Sequence, residues 1–103
     1  MVLERALITV TPGREQEFEQ AFRTARAQLE GSPGFVSGTL SRGVESPSTY
    51  LLLVEWQTLE DHTEGFRGSP AFTEWRRLLG PLFADAPTVE HYTQVSTAGP
   101  GAR

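Results

Sequence analysis

The sequence has no cysteine, no lysine and no asparagine among its 103 residues. Without cysteine there is no disulfide, no thiolate nucleophile and no cysteine-ligated zinc or iron–sulfur site. Without lysine there is no Schiff base, no pyridoxal phosphate attachment and no phosphate-binding P-loop lysine. Only two histidines occur, His62 and His91, so a metal site built from histidine alone would need more than one subunit. We therefore expect no bound metal and no organic cofactor.

Positive charge is also scarce. Nine basic residues, all arginine, stand against 13 acidic ones, which gives a net charge of −4. A nucleic-acid module or a basic membrane-surface segment needs a positive face, so we expect neither partner. The longest unbroken apolar run is residues 50–54, too short to span a bilayer, and the N-terminus lacks a signal-peptide pattern. These features predict a cytoplasmic protein.

The hydrophobic pattern predicts alternating strands and helices. Strands are predicted at 2–10, 35–42, 50–57 and 88–95, and helices at 14–29, at 59–67 and from 70 to a break at Gly80 and Pro81. Thr58 followed by Asp61 resembles a capping box that starts the short helix. Ser69 before Pro70 is typical of the start of the next helix. The order is therefore β-α-β-β-α-β, with the second helix in two parts.

This order predicts a ferredoxin-like α+β fold, with an antiparallel four-stranded sheet and helices on one face. One domain is expected at 1–95, followed by a flexible C-terminal tail at 96–103. Helices can cover only one face, whereas the strands at 2–10 and 50–57 are apolar on both. The uncovered face would expose either Leu3, Leu7, Leu51 and Leu53 or the apolar residues on the other face of the same strands. Monomers rarely expose such a patch, so we expect a homodimer packed sheet to sheet.

Five short motifs occur in order along residues 2–95. They are Pro12-Gly13 with Phe18 and Phe22, Ser32-Pro33-Gly34-Phe35, the strand from Tyr50 to Trp56, the segment from Phe66 through Ser69-Pro70-Ala71-Phe72 to Trp75, and His91-Tyr92. In this order and spacing they resemble the antibiotic biosynthesis monooxygenase (ABM) family. The resemblance implies a dimeric α+β barrel, in which each subunit has its own pocket between the sheet and the helices.

The same resemblance implies several functions. Some members oxidise aromatic polyketide phenols to quinones with O2 and without metal, flavin or haem, whereas others degrade haem. The haem-degrading branch has an asparagine, a tryptophan and a ligating histidine where this sequence has Ala6, Phe66 and Trp75. We therefore expect a cofactor-independent monooxygenase that oxidises an aromatic phenol or quinol with O2 as co-substrate. The alternatives are a non-catalytic dimer that binds an aromatic or lipidic metabolite, and haem binding through His62 or His91.

Two histidines are candidates for the catalytic base. Cofactor-free oxygenation needs a substrate that is first deprotonated to an electron-rich anion, and histidine is suited to that proton transfer. His62 lies one helical turn before Phe66, so both share a side of the short helix. If that side faces inward, His62 faces the sheet, and the alternative is a surface position in an acidic stretch. His91, in the last strand, is the second candidate and could instead pack at the dimer interface.

Aromatic side chains would hold a flat substrate. Phe66, Phe72 and Trp75 lie on the apolar side of the second helical region, so we expect them to form the walls of a pocket. The same apolar stripe would also result from ordinary core packing, which remains the alternative for all three residues.

Polar residues in the strands supply further candidates. Tyr50 could donate its hydroxyl to a substrate. Arg5 needs a carboxylate partner such as Glu55, or else it binds an anionic substrate. Glu4 and Glu55 are strand carboxylates that the sequence alone does not pair as an acid and a base, and Trp56 is expected to pack structurally.

Overall fold

The computed structural model describes residues 1–101. The strands are β1 (Val2–Thr9), β2 (Phe35–Arg42), β3 (Thr49–Trp56) and β4 (Thr88–Tyr92). The helices are α1 (Glu15–Glu30) and α2 (Pro70–Leu79), with a π-helical turn (Asp61–Phe66) before α2 and a 3-10 turn (Gly80–Leu82) after it. The predicted β-α-β-β-α-β order and the ferredoxin-like α+β fold are confirmed.

One antiparallel sheet contains all four strands, in the order β2-β3-β1-β4. The two central strands, β1 and β3, pair over their whole length. Each of them has a neighbour on both edges, which suits the two most apolar strands of the chain. The shorter β4 pairs with β1 between Leu3 and Leu7. This topology places the beginning of β1 next to the end of β4, where the candidate site lies.

The helices cover one face of this sheet, and alternate residues of the central strands are buried there. Side chains on a strand point to opposite faces in turn, so every second residue reaches the helices. The buried set on this face comprises Glu4, Ala6 and Ile8 from β1 and Tyr50, Leu52, Val54 and Trp56 from β3. These strand residues pack against buried side chains of the two helices, namely Phe18, Ala25, Leu29, Trp75 and Leu79. Burial of each large side chain in this layer stabilises the fold by about 1.5–3 kcal/mol.

The helices begin and end at residues with the expected local chemistry. The Ser69 hydroxyl accepts a hydrogen bond from the Phe72 backbone N–H at 3.3 Å, and Pro70 occupies the first turn of α2. At the end of α1, the Gly31 backbone N–H donates to the Ala27 carbonyl at 3.0 Å. The orientation of α2 against the sheet is thus fixed at its N-terminus, close to the candidate site.

The other face of the sheet, which we call the open face, is not covered by any helix or strand within residues 1–101. It carries Leu3, Leu7, Leu51 and Leu53, none of which is fully buried. The pairing register brings them together, because Leu7 lies opposite Leu51 and Arg5 lies opposite Leu53. The sequence correctly indicated apolar residues on both faces of the central strands.

Strand β4 is shorter than predicted. It ends at Tyr92 rather than at residue 95. Tyr92 already lies opposite Leu3, so the next residues run past the beginning of β1 and have no neighbouring strand. The predicted tail at 96–103 contains no helix or strand through residue 101, and residues 102–103 lie outside the described part. Within residues 1–101, no helix is both long enough and apolar enough to cross a membrane.

Candidate functional site

A cavity of about 710 Å³ lies between the helix-covered face of the sheet and the segment that contains the π-helical turn and α2. Four of the predicted site residues border it, namely His62, Phe66, Phe72 and Trp75. The charged residues at its border are Glu4, Arg67, Arg76 and Asp85. The cavity thus combines aromatic walls with a small number of ionisable groups, as ligand sites commonly do.

The π-helical turn directs His62 into this cavity. Reciprocal hydrogen bonds start the turn: the Thr58 N–H donates to Asp61 Oδ2 at 3.2 Å, and the Asp61 N–H donates to Thr58 Oγ1 at 3.1 Å. This is the capping box that the sequence predicted. Farther along, the Arg67 N–H donates to the His62 carbonyl at 3.1 Å, five residues back. His62 and Phe66 are each 3% exposed, so the surface alternative for His62 is wrong.

Three titratable side chains form a chain that begins at the cavity, and we call Glu4, His62 and His91 the relay. Glu4 Oε1 lies 3.3 Å from His62 Nε2. On the other side of the imidazole, His62 Nδ1 lies 2.8 Å from His91 Nε2. Both ring nitrogens of His62 are therefore occupied by neighbours within the relay. Within residues 1–101, no group of three or more His, Asp or Glu side chains could hold a metal ion.

Trp56 contacts two members of the relay, Glu4 and His62. Its Nε1–H donates a hydrogen bond to Glu4 Oε1 at 2.9 Å. Its indole stacks on the His62 imidazole, with ring centroids 5.4 Å apart and planes inclined by 21°. The prediction that Trp56 packs structurally is therefore incomplete, because the indole also orients two titratable groups.

Burial controls the protonation of the relay. It lowers the pKa of His62 to about 4, and the positive charge of Arg67 acts in the same direction. Burial also lowers the pKa of His91, again with a contribution from Arg67. The pKa of Glu4 is raised by burial, against the opposing effects of the Trp56 hydrogen bond and the Arg67 charge. At neutral pH His62 is uncharged, and a neutral imidazole can accept a proton at one nitrogen while it donates from the other.

Phe66 is the centre of the aromatic wall. Its ring meets Phe72 edge-on at 5.4 Å between centroids and Trp75 edge-on at 6.0 Å. Edge-to-face contacts of this kind fix the orientation of each ring. Phe22 from α1 holds the outer side of Trp75, with centroids 5.7 Å apart. The wall is therefore rigid, apolar and adjacent to the relay.

Two residues predicted to contact the substrate, Tyr50 and Arg5, do not border this cavity. Tyr50 is buried beside α1, where its hydroxyl donates to Glu19 Oε2 at 2.6 Å; it borders a second, smaller cavity of about 390 Å³. Arg5 lies on the open face, because it is the neighbour of Glu4 along a strand and therefore points the opposite way. Its carboxylate partner is Glu90 of β4, not Glu55.

The sequence reasoning missed Glu4 as a site residue. Glu4 is 5% exposed, borders the cavity and contacts His62. The sequence did contain an indication of its role. Alternate residues of a strand point to the same face, so Glu4 lies on the face of Ala6 and Ile8, which was expected to be apolar. A carboxyl group on the buried face of a central strand needs a partner, and that requirement could have indicated a functional position.

Comparisons with known proteins agree with this fold. Residues 1–78 match the Antibiotic biosynthesis monooxygenase family. The chain is 50% identical over 95 residues to YczJ, an uncharacterized Bacillus subtilis protein. The aligned region covers 92% of this chain and 100% of that protein. The chain therefore belongs to the antibiotic biosynthesis monooxygenase family, as the sequence motifs implied.

Solved structures of the same family have closely similar folds. One is a Bordetella bronchiseptica protein that is provisionally assigned as an antibiotic biosynthesis monooxygenase. Its TM-score is 0.89 and its sequence identity is 40%, and the match covers 91% of this chain and 96% of that one. Another is SnoaB from Streptomyces nogalater, a cofactor-independent oxygenase, with a TM-score of 0.81 and 25% identity over 93% of this chain and 94% of that one.

Proposed function

We propose that this protein is a cofactor-independent monooxygenase that oxidises an aromatic, polyketide-like phenol or quinol with O2. One observation carries the proposal: a carboxyl–imidazole–imidazole relay, with its first two members buried, at the wall of an aromatic-lined cavity. Membership of the family and the similarity to SnoaB, itself a cofactor-independent oxygenase, support it.

In this reaction the substrate supplies the electrons. A base removes a proton from the hydroxyl group, and the resulting anion transfers one electron to O2. The radical pair then forms a carbon–oxygen bond, which gives a peroxide. Where the peroxide forms at a ring carbon that carries hydrogen, it takes up a proton and loses water, so one oxygen atom remains in the product as a carbonyl and the other leaves in water. A quinol already has oxygen at that carbon, so it is oxidised to the quinone and O2 leaves as hydrogen peroxide. The protein must therefore accept one proton, return one proton and keep bulk water away from the anion.

Glu4 is the group that we assign to the substrate hydroxyl. Both nitrogens of His62 are occupied by the relay, whereas Trp56 engages only Oε1 of Glu4 and leaves Oε2 available. Burial makes the Glu4 carboxylate more basic than one in water, which brings its pKa closer to that of a phenol. Glu4 gives the proton to His62 Nε2, and His62 gives a proton from Nδ1 to His91, which is only half-buried on the edge strand β4 and can exchange it with solvent. The reverse transfers return a proton to the peroxide.

We further propose that the functional unit is a homodimer packed through the open face. The four leucines of that face are only partly covered in the single chain, and monomers rarely leave a contiguous apolar patch of this kind in water. The relay and the cavity lie on the other side of the sheet, so each subunit would keep a complete site.

The relay assignment is tested by amide substitutions: Glu4→Gln keeps the shape of the side chain, and His62→Gln replaces the imidazole with a polar side chain of similar length that does not titrate. We expect Glu4→Gln and His62→Gln each to lower kcat for a naphthol or an anthrone by about 100-fold or more, because proton transfer contributes factors of this order. Glu64→Gln is the matched control, since Glu64 lies in the same π-helical turn but is exposed. The measurement is O2 uptake and quinone absorbance with 1-naphthol and anthrone, corrected for uncatalysed oxidation.

The function itself is rejected by a different result. If no compound in a panel of anthrones, naphthols and hydroquinones is oxidised faster with the protein than without it, the monooxygenase proposal fails. Tight binding of these compounds without turnover would instead support a non-catalytic binding protein. Full activity of Glu4→Gln would leave the function intact and remove Glu4 from the mechanism.

A further inference from the structure

Two arginines border the cavity without a carboxylate partner. Arg67 follows the π-helical turn, and Arg76 lies on α2 with its guanidinium carbon 5.8 Å from the centroid of the Phe72 ring. Within residues 1–101 neither guanidinium has a carboxylate oxygen within 4.0 Å. The next residue, Arg77, differs in that it points away and binds Glu74. Arg67 and Arg76 are therefore the cationic groups that a ligand in this cavity can reach.

The charge around the cavity differs from that of the whole chain. The border carries two guanidinium groups and two carboxyl groups, those of Asp85 and Glu4, so the positive charge there at least equals the negative charge, although the chain has a net charge of −4. Arg67 borders the same cavity as His62 and Glu4, and its positive charge acts to lower the pKa of both. A guanidinium binds a carboxylate through two parallel hydrogen bonds, and this pairing is among the stronger polar contacts in proteins.

We propose that the substrate of this site is a hydroxylated aromatic carboxylic acid, whose carboxylate is bound by Arg67 and Arg76 while its rings lie against the Phe66, Phe72 and Trp75 wall. The inference rests on the proposed function for the position of the hydroxyl group, which faces Glu4. A carboxylate near that hydroxyl places the anion beside Arg67, so the same guanidinium that recognises the substrate also stabilises the phenolate formed from it.

Ligand binding tests the substrate class without any need for turnover. The probes are 1-hydroxy-2-naphthoate, its methyl ester and 1-naphthol, measured by isothermal titration calorimetry under argon. We expect the acid to bind at least about tenfold more tightly than the ester, and this preference to fall as NaCl is raised from 0.05 to 0.5 M, in the way that exposed charge pairs are screened (Debye length about 10 Å at 0.1 M).

Matched variants identify the groups responsible. We expect the double variant Arg67→Gln/Arg76→Gln to reduce the preference for the acid to threefold or less, whereas Arg77→Gln keeps it. Equal affinity of the parent for acid and ester, a preference that survives the double substitution, or no binding of any probe overturns the inference. A preference for the acid that depends on both arginines, in a protein that oxidises no phenol, upholds the inference on the carboxylate and rejects only the monooxygenase proposal.

Discussion

Glu4 and His62 meet in a place where neither charge is well solvated. The pKa of the carboxyl group is raised and that of the imidazole is lowered, mainly by burial in both cases. Both shifts disfavour the charged form, because an ion pair in this position would lose more hydration than its mutual attraction returns. The two groups therefore carry less charge in the folded protein than they would in water, which suits them to proton transfer in an apolar cavity.

This protonation state makes stability depend on pH. The unfolded chain binds a proton at His62 near pH 6.5, whereas the folded protein binds it only near pH 4. Stability from the neutral imidazole is therefore complete above pH 6.5 and is lost as the pH falls towards 4. We expect the difference in unfolding free energy between the parent and His62→Gln to fall by about 1–3 kcal/mol from pH 7 to pH 4. Urea denaturation at a series of pH values measures it.

The comparison with a variant is necessary because Glu4 acts in the opposite direction. Its raised pKa means that the folded protein takes up a proton before the unfolded chain does, so its contribution increases as the pH falls. The shift of Glu4 arises from burial, Trp56 and Arg67, so most of it is common to the parent and to His62→Gln. A difference that stays constant between pH 7 and pH 4 would show that His62 is not buried as a neutral group.

The π-helical turn packs against a glycine in a distant loop. Gly34, just before β2, has a φ of +84°, and a Cβ at this position would overlap the Asp61 side chain, including its Cβ. Asp61 is half of the capping box that starts the turn. Because the overlap reaches the root of the Asp61 side chain, rotation of the carboxylate cannot relieve it, and the turn that carries His62 would have to move.

Two alanine substitutions separate this contact from the cost of a positive φ. Gly13 has a φ of +92° and open space around it, so Gly13→Ala is expected to cost only the conformational strain, about 1–2 kcal/mol. Gly34→Ala should cost about 1–3 kcal/mol more, because the neighbours must also move. Thermal and urea unfolding measure both values. Equal costs would show that the Asp61 contact relaxes freely.

The elements were largely predictable because their signals are local. The spacing of Phe18 and Leu29, the Ser69-Pro70 start of α2 and the Thr58–Asp61 capping box all act within a few residues. The π-helical form of the turn was not predictable. Its hydrogen bond joins the Arg67 N–H to the His62 carbonyl five residues back, and no local sequence signal distinguishes this from the four-residue spacing of an α-helix. The site was predicted in part for the same reason: helical spacing indicated that His62 and Phe66 share a side, whereas no sequence pattern pairs Glu4 with a residue so far along the chain.

At the scale of the whole molecule, the two faces of the sheet have separate roles. One face builds the core and the cavity, and the open face carries partly exposed leucines with the Arg5–Glu90 salt bridge among them. The sequence predicted these two apolar faces, since both the odd-numbered and the even-numbered residues of the central strands are largely apolar. Homodimer formation stays a prediction, because it concerns a second copy of the chain.

A charge on the open face tests the dimer. We expect the parent to sediment at twice the mass of one chain and Leu53→Glu to sediment as a monomer, because each subunit would bury an unpaired carboxylate in the interface. Val44→Glu is the control: Val44 is 88% exposed in the β2–β3 loop, away from that face. Circular dichroism checks that both variants are folded. A monomeric parent, or a dimeric Leu53→Glu, contradicts the arrangement.

The stacking of Trp56 on His62 also has an optical consequence. An excited indole in contact with an imidazolium loses its energy by electron transfer more readily than one in contact with a neutral imidazole. The emission of Trp56 therefore changes when a proton arrives at His62, and the protein carries its own label-free reporter of that event. Stopped-flow fluorescence could follow proton movement in the site on the timescale of a single turnover, with no dye attached to the chain.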